Sequence, residues 1–344
     1  MLSTKWLLLP GVVCAASIAF AQDPVPSVRR IRIETTLDST VTRKTQSGDE
    51  SASAAGRGML ADGKTTIARR QTVAFEERGD GTRHYLQVQS DETTQTDDAE
   101  PRANHVDGAL ESRTVVPVVD DQGGASLLEV IDGERVELAP ELVEGVPGTI
   151  DLAVLVPPSG NKAGESFEPT GDVRAALRRL LHPVTAESRR GRGRGGRGFG
   201  RGPTERQMLG AFTALLAVAD AEVETRAESV AAADGHGPQV KLRLVVKAKG
   251  NAQQLGLAAP TMFGGRGPRG GGASGDAEAR LTLDVVVQLD DSGRQVRRID
   301  LTGKLEADAK STLAARRGGT ADPTTIGEQF ASTIAVKFVE SAGG

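Results

Sequence analysis

Two runs of strict alternation restrict this chain more than any other feature. Val240, Leu242, Leu244, Val246 and Ala248 alternate with Lys241, Arg243, Val245, Lys247 and Lys249; Leu281, Leu283, Val285, Val287 and Leu289 alternate with Arg280, Thr282, Asp284 and Gln288 among others. Successive strand side chains point to opposite faces, so each run carries an apolar face and a polar one, the signature of half-buried antiparallel strands. Asp290-Asp291-Ser292-Gly293 turns the second run back into Ile299, Leu301, Gly303 and Leu305, which predicts a long hairpin.

The same style recurs elsewhere. Ile31, Ile33 and Leu37 alternate with Arg30, Arg32, Glu34 and Asp38; Ile67, Val73 and Phe75 form a second run that Gly79-Asp80-Gly81 turns into His84–Gln89. Asp132-Gly133, between Leu128, Val130 and Val136, Leu138, is the strongest short hairpin signal. Near the end, Ile334, Val336 and Phe338 are set against Ala335, Lys337 and Glu340 as a closing strand. Residues 90–112, rich in Asp, Glu and Thr, read as a solvated acidic loop.

Between the strand-rich parts the period changes. Val173, Leu177, Leu180 and Leu181 follow the spacing of one helix face, and Pro183 stops the run. A second helix is expected from Thr204, with Gln207 completing a capping-box pattern and Met208, Leu209, Phe212, Leu215 and Leu216 as its apolar residues. The resulting expectation is an α+β chain: one large, curved, half-barrel-like antiparallel sheet packed on a central helix pair, as a single β-rich domain over 22–344 with a helical insertion at 172–219. Two β domains joined by the helices are the alternative. Leu177, Leu180, Phe212 and Leu216 are candidates for the wall of an apolar cavity or for ordinary core.

The first 21 residues read as a cleavable secretory signal: Met1–Lys5 supplies a basic start, Trp6–Phe20 an apolar stretch, and Ala19-Phe20-Ala21 a small-x-small cleavage triplet before Gln22. Those apolar residues, broken by Pro10 and Gly11, fall short of the roughly 20 a membrane span needs, so no transmembrane span is expected in the mature chain. The single cysteine, Cys14, leaves with the leader, which excludes disulfides, thiol nucleophiles and cysteine metal sites. Trp6 leaves too. With one Tyr and eight Phe in the whole chain, the core must be aliphatic, and a base- or sugar-stacking surface is disfavoured.

The net charge of −4 hides a segregation, because residues 189–203 carry six arginines and no acid. Arg189, Arg190, Arg192, Arg194, Arg197 and Arg201 are candidate anion-binding residues, since guanidinium groups on a Gly-rich backbone can form bidentate contacts with phosphate or sulfate. Both this segment and the Gly-rich stretch 261–275 read as disordered tips. For an exported chain the partners expected are lipid or an anionic envelope polymer rather than intracellular nucleic acid. The four histidines stand singly, and no nucleophile-elbow or phosphate-loop motif occurs, so no catalytic, cofactor or metal site is assigned.

Two short signatures carry a resemblance. Leu155-Val156-Pro157-Pro158 leading to Gly164-Glu165-Ser166-Phe167, and the hairpin Asp290–Gly303, are similar to those of a class of uncharacterised exported β-rich bacterial proteins. In that class the first signature ends in Gly-Asp/Glu-x-Trp, so Phe167 departs from it. The resemblance covers about half of the mature chain and implies no catalytic residues. By layout alone the chain also looks like the half-barrels of lipoprotein carriers. The function expected is a non-enzymatic envelope protein, structural or binding an apolar or lipid ligand, with anionic-polymer binding through the Arg/Gly loops as the alternative and an uncharacterised enzyme as the third reading.

Overall fold

The computed structural model describes residues 28–46, 62–108, 110–119, 125–138, 152–181, 205–231, 237–252, 254–257, 275–313 and 324–342. Its strands are β1 (Arg29–Gln46), β2 (Gly63–Glu77), β3 (Arg83–Thr96), β4 (Arg102–Asp107), β5 (Thr114–Val119), β6 (Ala125–Ile131), β7 (Glu134–Glu137), β8 (Ser166–Phe167), β9 (Glu222–Val230), β10 (Gln239–Asn251), β11 (Gly275–Leu289), β12 (Val296–Leu313) and β13 (Thr324–Ala342). Two helices, α1 (Val173–Leu181) and α2 (Glu205–Ala217), stand between β8 and β9.

All these strands belong to one 13-stranded sheet in the order β7-β6-β5-β3-β2-β1-β13-β12-β11-β10-β9-β8, with β4 paired to β3 beside that path. Both halves are antiparallel meanders, and the first and last strands meet at the centre: Arg29 faces Ala342 and Gln46 faces Thr325. β7 and β8 lie at opposite edges, and residues 152–165, the described part of the crossover between them, lead into β8.

This corrects the α+β expectation. Among the described residues the chain is mostly β, and the two helices there are short, 9 and 13 residues long. They pack on each other, and α2 touches the sheet at β10 and β11 rather than forming a central layer. Gly303 in β12 makes the closest approach possible: a side chain there would strike Leu283 and Ile334, and the Phe212 ring lies 3.6 Å from where its Cβ would be. Strand content exceeds the expectation because β1 and β13 run on for 18 and 19 residues, through Thr35, Ser39, Glu328 and Ser332 at apolar-phase positions that mask the alternation.

The acidic stretch 90–112 is a second correction. Ser90–Thr96 continues β3, and Arg102–Asp107 forms β4 paired with it from Gln89/Asp107 to Thr94/Arg102. Runs of Thr suit a pleated backbone even where neither face is buried.

One face of the sheet forms the core. Leu244, Leu283, Leu301, Val336 and Leu37 all stand on it and are buried, and the helix residues Leu177, Leu180, Phe212 and Leu216 join the same cluster. The opposite face carries charge ladders. The basic side of β10 meets acidic neighbours there, with Lys247 3.0 Å from Glu222 and Lys249 2.7 Å from Glu278. Exposed pairs of this kind each contribute about 0–1 kcal/mol.

Candidate functional site

Charged residues standing in phase with the apolar side of their strands mark the site. Glu77 follows Phe75 by two in β2, Glu340 follows Phe338 by two in β13, and Arg83 precedes Tyr85 by two in β3. The pleat therefore turns all three inward. Their side chains are 10%, 9% and 3% exposed. The register brings them to one end of the sheet, because Arg29 pairs with Glu77 across β1–β2 and Glu77 with Arg83 across β2–β3.

A chain of alternating charges results. Arg83 Nε donates to Glu77 Oε1 at 2.9 Å, and Arg29 donates to Glu77 Oε2 at 2.6 Å. Arg29 also lies 3.6 Å from Glu340, which accepts from Arg297 at 3.4 Å. Arg83 packs over the Phe75 ring at 5.2 Å, and Phe75 tilts against Tyr85 with centroids 5.3 Å apart. Burial pushes the Tyr85 hydroxyl above its usual range, so it stays protonated.

Below this rim lies a pocket of about 240 Å³. Its apolar lining is Ile31, Phe75, Val296 and Phe338 from the sheet, with Leu152 and Val156 from the crossover that links the sheet edges. A 3-10 turn, Ala153–Leu155, shapes the described part of that crossover, and its Leu155 is fully buried. The first signature thus begins at the pocket wall and ends as β8, where Phe167 pairs with Ala227 of β9.

The last wall is the β11–β12 turn. Asp290 Oδ1 accepts from the backbone N–H groups of Arg294 and Gln295, the Ser292 hydroxyl donates to the same carboxylate, and Gly293 takes a positive φ of 68°. These bonds, led by that of Ser292, hold the Asp290 carboxyl below its ordinary range. The turn places Arg294 on the pocket, exposed and without an ion pair among the described residues. Three arginines (Arg29, Arg83, Arg294) therefore face two carboxylates (Glu77, Glu340) around an apolar floor.

A broader depression of about 520 Å³ lies on the opposite face. It is an open surface between charge ladders in which Lys304 pairs with Glu306 at 2.6 Å and Arg243 with Asp284 at 3.7 Å.

Of the residues singled out from sequence, Leu177, Leu180, Phe212 and Leu216 are buried in the common core and do not line the pocket. Arg189, Arg190, Arg192, Arg194, Arg197 and Arg201 lie outside the described residues, as do the leader and all of 261–275 except Gly275. Glu340, set with the outward residues of the last strand, shares the inward phase of Phe338. Sequence reasoning missed Glu77, Arg83 and Glu340 as a group, although a charge in apolar phase was a readable signal. Glu77 and Arg83 meet across the β2–β3 hairpin, but that Glu340 joins them was not readable, because it depends on the β1–β13 pairing.

Among the described residues no set of three or more His, Asp or Glu side chains could hold a metal ion, and no helix is long and apolar enough to cross a membrane. No protein-family model and no curated protein matches the chain. Among solved structures, OccK5 (OpdH) of Pseudomonas aeruginosa is similar only at a TM-score of 0.19 and 6% identity, over 90% of this chain and 98% of that one. A likeness of that size carries no argument.

Proposed function

We propose that this chain is an exported, non-catalytic envelope protein that binds an apolar or amphiphilic ligand at the end of its sheet. The observation that carries the reading is the pocket itself: an apolar floor of Ile31, Phe75, Val296 and Phe338 beneath a rim of charged groups, an amphipathic lining suited to an amphiphilic ligand. The apolar face of the sheet is covered in part by Phe212 and by the crossover residues Leu152 and Leu155, so it serves as core and ligand floor. Export rests on the leader pattern of residues 1–21.

Nile red fluorescence tests the binding. The folded chain should bind the dye saturably, and Val156→Asp, which puts a charge at a half-buried wall position packed against the core, should weaken binding about tenfold or more while the variant still melts cooperatively, at a somewhat lower temperature. Absence of saturable binding, or equal binding by the variant, rejects the reading. Mass analysis of the exported form should find Gln22 as its first residue.

A further inference from the structure

We infer that the ligand of this pocket is a single-chain amphiphile with an anionic head, its charge taken by Arg294. The inference rests on the binding reading above and adds the charge and size of the ligand. Three features of the site lead to it.

The first is the distribution of charge. Both lining carboxylates are already engaged, Glu77 by Arg29 and Arg83 and Glu340 by Arg297 with Arg29 nearby. A cationic head would have to displace an arginine from a nearly buried carboxylate. An anionic head meets Arg294, which has no carboxylate partner among the described residues, and the exposed side of Arg29, whose side chain is 52% exposed. Among the described lining residues three arginines stand against two carboxylates, and Arg294 is the exposed one of the three without a carboxylate among them.

The second is preorganisation. Arg294 is not on a free loop: its own backbone N–H is held by Asp290 at 2.9 Å, within a turn closed by Gly293 N–H to Asp290 C=O at 2.8 Å and Asp290 N–H to Gln295 C=O at 2.8 Å. The adjoining Gln295 and Val296 line the same pocket, so the turn that aims the guanidinium also supplies apolar wall. Holding a contact residue in place before binding reduces the ordering cost of the complex.

The third is size. At about 240 Å³ the pocket is smaller than the roughly 300–1,000 Å³ that takes a drug-sized ligand. One alkyl chain can lie along Ile31, Phe75, Phe338 and Val156. Two chains side by side exceed that volume, so the pocket is matched to a single chain.

Isothermal titration calorimetry of the full chain with dodecanoate and with dodecanol, which share a tail and differ in head charge, tests the inference. Dodecanoate should bind about tenfold or more tightly, the scale of one charge-assisted hydrogen bond. Arg294→Gln should bring dodecanoate down to the affinity of dodecanol and leave dodecanol unchanged. Asp290→Ala, which touches no ligand, should lower dodecanoate affinity by a smaller factor. Phosphatidylglycerol vesicles should lose no lipid to the protein. Equal affinity for the two probes, or an Arg294→Gln variant that still prefers dodecanoate, overturns the charge assignment while leaving apolar binding in place. Extraction of phosphatidylglycerol overturns the single-chain assignment. Binding of neither probe removes the inference together with the function on which it rests.

Discussion

The Glu77 carboxylate accepts from Arg83 on one oxygen and from Arg29 on the other, and of these two arginines only Arg29 reaches water freely. Glu77→Gln takes the charge away from a guanidinium that is 3% exposed, and breaking one side of a buried pair costs about 3–5 kcal/mol. The adjoining Glu76 points to the other face and pairs with the exposed Arg30. Glu76→Gln should therefore cost less than about 1 kcal/mol. Urea unfolding of the two variants reads the difference, and equal losses would mean that the rim cluster is not buried in solution. His105 gives a pH test at the same scale. It stands on exposed β4 with Nδ1 2.6 Å from Asp91 and Nε2 3.2 Å from Asp107, and only the imidazolium can donate to both. The hydrogen bond to Asp91 is the main cause that raises its pKa above the ordinary 6.5. A raised folded value means that its contribution is fully present below pH 6.5 and is lost as pH rises through the folded pKa. The protection of amides in the β3–β4 hairpin, taken relative to their intrinsic base-catalysed exchange, should fall across that window, and His105→Gln should remove that fall.

At the scale of elements, what was legible followed from repetition. The alternation of β10 and β11, the Asp290–Gly293 turn and the Asp132-Gly133 hairpin were readable because every residue in them agrees with the same local geometry; Asp132 and Gly133 do take positive φ values of 51° and 85°. The full lengths of β1 and β13 were not, because Thr35, Ser39 and Ser332 put polar groups on the apolar face and break the pattern that betrays a strand. The helices were overweighted for the opposite reason, since a clean apolar stripe such as that of α1 says nothing about how much of a 13-stranded sheet it can cover. The contact between α2 and the sheet is testable. Gly303→Val should cost about 1–3 kcal/mol by overpacking against Leu283 and Ile334, and Phe212→Ala about 3–5 kcal/mol by leaving a cavity. In the double variant the smaller ring partner gives the valine room, so its loss should fall below the sum of the single losses. Strict additivity would show that Phe212 does not rest on Gly303.

For the whole molecule the decisive pairing is β1 with β13, which joins the first described strand to the last along all of Arg29–Gln46. Until β13 is in place the N-terminal and C-terminal meanders share no ladder, and the pocket has neither Phe338 nor Glu340. Pairings between residues so far apart in sequence close late and slowly, because the loop entropy must be met before the contacts form. The consequence is a steep gradient of tolerance from the centre of the sheet to its edge, which proline can measure. Ala335 has an exposed side chain but sits in a strand flanked by β1 and β12, so its N–H serves one ladder or the other whichever way it points. Arg135 also has an exposed side chain and sits on edge strand β7, at the position next to the two-residue turn's closing pair, where the N–H faces away from β6. Ala335→Pro should therefore abolish cooperative unfolding and binding at the pocket together, whereas Arg135→Pro should leave both near the parent values, since proline is tolerated only on sheet edges. Circular dichroism melts and dye titration on the two variants read both effects. A folded Ala335→Pro protein would show that the two meanders stand without their shared centre, and would overturn the order in which this sheet is built.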